Sequence, residues 1–154
     1  MALDSVTPQR GFPNFNSLTY PKTVVGLPVV TTATTPVTGT VAQLLGGLLA
    51  IDTQDAGTWT TPTAALISAA VPGVAVGVSF EVDIINYGDA TLTIGLGTGV
   101  TKVTIATVAA VLTIVTLASK RLRFVCTAVT NGSDPASADA WVVYAFGSTA
   151  AAVA

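Results

Sequence analysis

Residues 76–86 read VGVSFEVDIIN. Val78, Phe80, Val82 and Ile84 alternate with Ser79, Glu81 and Asp83, the period-two pattern of a half-buried strand. No helical spacing puts these four apolar side chains on one face, so this stretch sets the chain on a β course. The same alternation returns in ATLTIGL through Leu92, Ile94 and Leu96, after a turn signalled by Tyr87-Gly88-Asp89. KRLRFVCTAV and AWVVYAFG supply two further strands, separated by the turn-rich NGSDPASAD.

One element breaks the pattern. Thr61-Pro62 followed by TAALISAAV reads as a short helix with Thr61 as its N-cap and Pro62 at the first helical position; Val71-Pro72-Gly73 stops it. In VAQLLGGLLAID the second half is strand-like, with Gly46-Gly47 as a bend or bulge. The segment 103–118, VTIATVAAVLTIVTLA, is uncharged but too short and too rich in Val, Ile and Thr for a membrane helix. It reads as two strands joined through Ala109-Ala110. The expected fold is all-β: an antiparallel, jelly-roll-like sandwich of about eight strands with one short helix.

The first 40 residues are different. Pro8, Pro13, Pro21, Pro28 and Pro36 punctuate them, and they close on TTATTPVTGT. Proline removes backbone donors and biases its predecessor toward extended conformations, so a packed helix is disfavoured. We expect an extended N-terminal arm over 1–40, with one short strand at about Thr23 to Thr31, and a sandwich domain over 41–154. The arm is poor in charge and carries Phe12, Phe15 and Tyr20. Aromatic side chains dominate binding hot spots, which makes these three the candidate anchoring residues. MALDSVTPQRGFPNF lacks a basic stretch leading into an apolar one, so no secretory signal is expected.

Composition narrows the function. The 154 residues are 51% hydrophobic and only 9% charged, with net charge −2. Either the 25 threonines coat a monomer, or neighbouring subunits cover much of the surface, because large exposed apolar patches are rare on monomers. The second reading is favoured. Nucleic-acid binding needs a basic face, and Lys120-Arg121-x-Arg123 is too short to be one; a strand places Arg121 and Arg123 together on a solvated face. With one cysteine, Cys126, there is no disulfide framework, and LRFVCTAV places it as a buried thiol.

TIGLGTGVT, residues 93–101, resembles a phosphate loop at first sight. The dinucleotide fingerprint requires a third glycine where Val100 stands, and a helix must follow, whereas TKVTIAT is strand-like. Gly95, Gly97 and Gly99 therefore read as turn residues that supply positive φ. The absence of histidine removes the usual catalytic dyads. Glu81 with Asp83 reads as a solvated face, Asp52 with Asp55 as turn caps, and Trp59 and Trp141 as core or interface anchors. No catalytic residue, cofactor or metal site is expected.

Gln43-Leu44-Leu45-Gly46-Gly47, Trp59-Thr60-Thr61-Pro62-Thr63-Ala64-Ala65-Leu66, Pro72-Gly73-x-x-x-Gly77-x-Ser79-Phe80 and Gly97-Thr98-Gly99-Val100-Thr101 together resemble a β-rich module of structural proteins in tailed phages and large DNA viruses. The resemblance spans about residues 41–147. It implies a trimeric jelly-roll protein that decorates capsids or heads a fibre, with no catalytic residue. The expectation is a non-enzymatic capsid decoration or cement protein on the outer surface of a virion, a homotrimer partnered by the major capsid protein. No nucleic acid and no membrane would be involved. The alternative is a receptor- or glycan-binding fibre head, with Trp59, or Tyr87 beside Asp89, exposed to the ligand.

Overall fold

The computed structural model describes residues 23–24, 29–30, 36–105, 108–109, 112–130 and 138–146. In chain order the elements are β1 (Thr23–Val24), β2 (Val29–Val30), β3 (Val37–Thr38), α1 (Val41–Leu45), β4 (Gly47–Thr53), β5 (Gly57–Thr60), α2 (Ala64–Ala70) and β6 (Ser79–Asn86). There follow β7 (Leu92–Gly95), β8 (Val100–Lys102), β9 (Thr104–Ile105), β10 (Val108–Ala109), β11 (Thr113–Ile114), β12 (Ala118–Ala128) and β13 (Ala140–Phe146). The larger sheet runs β1-β4-β6-β12-β13-β8, with β2 also on β4; the second runs β11-β7-β5-β3, and β9 pairs with β10.

β6 obeys its alternation. Phe80, Val82 and Ile84 are buried, and Asn86 continues the parity inward. β4 buries Leu49 and Ile51, and β12 buries Leu122, Phe124 and Cys126. From the second sheet Trp59, Leu92, Ile94 and Ile114 join the same core, which Ile67 of α2 and Leu44 of α1 complete. Each such side chain contributes about 1.5–3 kcal/mol when fully buried. Phe80 stacks on Phe124 at 5.0 Å between ring centroids and tilts against Trp141 at 5.4 Å.

The chain is strand-rich, but its sheets are mixed, which corrects the antiparallel expectation. β6 is antiparallel to β12, and β12 to β13. In contrast, β4 runs parallel to β6, β5 to β7, β3 to β5 and β8 to β13. The cause is the route of the chain. β4 and β5 belong to different sheets, so the chain crosses through β5 and α2 before β6 enters beside β4, and a crossover of this kind gives parallel neighbours. The expected eight strands become thirteen segments among the described residues, six of them two residues long.

Three local expectations also change. There are two helices, not one: Thr40 caps α1 through a capping box with Gln43, each side chain bonded to the other's backbone N–H. α2 begins later than expected, because Thr63 and not Thr61 accepts from Leu66 N. In the segment 103–118, β9 pairs antiparallel with β10 through Ile105 and Val108, while β11 joins β7. The reversal therefore lies before Ala109-Ala110, with residues 106–107 outside the description. No described helix is long and apolar enough to cross a membrane. The strand expected at about Thr23 to Thr31 is represented by β1 and β2, both parallel to β4.

Candidate functional site

The glycine loop was the first candidate, and its backbone is already in use. Val100 N donates to Gly97 O at 2.9 Å, closing a four-residue turn. Gly97 N donates to Thr61 Oγ1 at 3.0 Å, and Ala64 N donates to Thr98 O at 2.9 Å. Trp141 N donates to Gly99 O at 3.0 Å. The loop thus clamps the residues before α2 to the start of β13, and these N–H groups do not converge on an anion.

Positive φ accounts for only one of the three glycines. Gly99 has φ 80°, and a Cβ there would sit 2.7 Å from both Ala64 Cβ and Asp139 O. Gly97 is required by close approach instead: its Cβ would lie 2.5 Å from Pro62 O. Gly99→Val should therefore cost more than the roughly 1–3 kcal/mol of backbone strain alone, with no change in nucleotide affinity. Urea denaturation and ATP titration check both halves; tight ATP binding lost in the variant would contradict the reading.

The carboxylates and arginines form the second candidate. Register places Asp83 opposite Arg121 and Glu81 opposite Arg123, on neighbouring strands and one outward face. Arg121 is bidentate to Asp83, with Nε–Oδ1 at 2.7 Å and Nη2–Oδ2 at 3.3 Å. Arg123 holds Glu81 Oε1 from Nε at 2.9 Å and Nη2 at 2.7 Å. A diagonal contact of 4.0 Å between Arg121 and Glu81 links the pairs. The hydrogen bond and charge of Asp83 raise the Arg121 pKa further above its ordinary value. Both carboxylates are already engaged by arginines on an outward face, so the ladder reads as architecture or contact surface. Lys120, expected in the same basic cluster, turns inward, where burial lowers its pKa.

Cys126 is a buried free thiol, its pKa pushed up chiefly by desolvation, the opposite of an activated nucleophile. Trp59 and Trp141 are both fully buried, so neither offers a stacking platform. Trp141 Nε1 donates to Ser68 Oγ at 3.0 Å, whereas Trp59 Nε1 and Thr53 Oγ1 have no hydrogen-bond partner among the described residues. Asp52 lies on β4 and Asp55 in the following turn; among the described residues no group of acids, cysteines or histidines is arranged to hold a metal. Phe12, Phe15 and Tyr20 lie outside the described residues.

Composition points to apolar surface without locating it, and the structure locates it. Leu66, Val76, Tyr87, Val115, Leu117, Tyr144 and Phe146 all face solvent. Leu117 is 81% exposed and has φ 56°, an unfavourable conformation for a branched residue. Tyr87 follows Asn86 and Leu117 precedes Ala118, and those two are opposite one another in register, so both residues flank the same end of the β6–β12 pair. Tyr144 and Phe146 stand beside Arg123 and Arg121 on the outer face of the larger sheet. Alternation marks such positions as outward, but only strand order shows that they are neighbours. Compared with known proteins, the chain matches no family model, no curated protein and no solved structure.

Proposed function

We propose that the chain is a non-enzymatic structural protein that works as an assembly of copies, a decoration or cement protein on the outer capsid of a virion. The observation that carries this reading is the exposed apolar set, Leu66 through Phe146, on a chain only 9% charged. Such surface is commonly covered by a partner. In this proposal the two sheets are the layers of a sandwich, and the copies form a homotrimer as the resemblance implies. The N-terminal Phe12, Phe15 and Tyr20 anchor it to the major capsid protein. A fibre head that binds a receptor or glycan is the second reading. It rests on exposed Tyr87 near Asp89, while burial of Trp59 and Trp141 counts against it.

Electron microscopy of virus particles carrying the gene, labelled with antibody to the chain, tests the location. Regular labelling of the shell is expected, and labelling confined to fibres would favour the second reading. Deleting residues 1–22 should leave the melting midpoint nearly unchanged yet abolish attachment to those shells. Undiminished attachment would place the anchor elsewhere.

A further inference from the structure

We propose that the outer face of the larger sheet is a contact between two copies of this chain, related by a two-fold axis along the strands between β6 and β12. The basis is the order of residues across four strands. Register aligns Leu48 of β4, Asp83 of β6, Arg121 of β12 and Phe146 of β13 in one row. Leu48 is half-buried, while Leu49 and Ile51 of β4 are buried in the core on the opposite parity, so all four belong to the outward face. The row reads apolar, acid, base, apolar. A neighbouring row adds Glu81, Arg123 and Tyr144.

That order is self-complementary. Rotation about an axis along the strands keeps the rows level and exchanges the columns. β6 then lies over the partner's β12, and β13 over the partner's β4. Asp83 meets the partner's Arg121, Glu81 meets the partner's Arg123, and Phe146 meets the partner's Leu48. The reverse contacts follow by symmetry, as an isologous interface requires. The existing intrachain pairs do not prevent this, since a guanidinium carries five donors and a carboxylate about four acceptor sites. The arginine side chains remain about half exposed, at 51% and 49%, which leaves guanidinium donors accessible to a second copy.

β6 and β12 overlap over eight rows, whereas β4 and β13 share only the rows of Arg121 and Leu122, so at ~4.8 Å spacing and ~3.4 Å rise the level rows give a face of roughly 330 Å² per copy. At about 650 Å² in total this lies below the usual size of stable specific interfaces, so the contact is expected to be weak, forming at about 10–100 µM. It rests on the proposal that the chain self-assembles, and it adds a two-fold contact distinct from any three-fold one.

The test is a mixing experiment on the full chain. Arg121→Glu makes the Asp83/Arg121 positions wholly acidic, and Asp83→Lys makes them wholly basic. Each variant alone should weaken the two-fold contact by about tenfold or more, because like charges then meet across it. An equimolar mixture should recover association as one-to-one pairs in native mass spectrometry. The intrachain ion pair is broken in both variants, so only contact between copies can produce this recovery. Circular dichroism checks folding, and Arg123→Glu with Glu81→Lys is a second pair should either variant misfold. Wild-type association of both single variants, or no recovery on mixing, would overturn the face as a contact while leaving self-assembly intact. An unchanged chain that stays monomeric up to about 100 µM would overturn both proposals.

Discussion

Alanine in place of Trp141 is expected to lower unfolding free energy by about 3–5 kcal/mol, the usual cost of deleting a fully buried large aromatic side chain. Three losses combine at this position. The indole leaves a cavity between Phe80 and the rest of the core, since it packs at 5.4 Å from that ring. The Ser68 hydroxyl, buried on α2, loses its partner at 3.0 Å. The tie between α2 and β13 goes with it. Domains of this kind are stable by only about 5–15 kcal/mol, so the variant should lose a large share of its total stability. Trp141→Phe retains most of the volume and should cost about 1–3 kcal/mol, chiefly for the unpartnered hydroxyl. Urea denaturation followed by circular dichroism separates the two. A loss below about 1 kcal/mol for alanine would mean that Trp141 does not anchor the core.

Gly88→Ala should also have a large effect, for a different reason. The turn after β6 folds back onto β4: Tyr87 N donates to Ile51 O at 3.1 Å, and Ala90 N donates to Thr53 O at 3.0 Å. Asn86, fully buried, reinforces it by donating to Ala90 O and Ile114 O while accepting from Gly88 N. A Cβ at Gly88 would overlap the backbone of Thr53, and backbone in a paired strand cannot swing away as a side chain tip does. Overpacking typically costs about 1–3 kcal/mol, and this site should lie at or above the top of that range. Gly73 provides the control. Its φ is 65° with open space around it, so alanine there meets only conformational strain, about 1–2 kcal/mol. If the two substitutions proved equally mild, the seal between the turn and β4 would be wrong.

These positions also show which parts of the fold were legible. Alternation in VGVSFEVDIIN and LRFVCTAV assigned faces correctly, because burial on one side of a strand leaves a period of two. Neighbours were not legible. Period two does not report which strand lies alongside or in which direction it runs, so the parallel β4–β6 and β5–β7 pairings escaped notice. The Asp83–Arg121 ladder was hidden for the same reason, although both residues had been placed on outward faces. α1 was readable in principle: Thr40-x-x-Gln43 is a capping box, but the strand-like run after Gly46-Gly47 drew the assignment the other way. At α2, Thr61 and Thr63 both fit an N-cap, and Thr61 is committed to Gly97 N instead. The glycine loop was correctly read as a turn from the missing helix downstream. Sequence alone does not distinguish Gly97, required by steric closeness, from Gly99, required by both φ and closeness.

In the proposed function, this charge-poor chain assembles with copies of itself. Sedimentation equilibrium of the 154-residue chain across the micromolar range tests it most directly. The account predicts a mass of two or more 15.4 kDa chains that falls on dilution. A single species of 15.4 kDa at every concentration would contradict it.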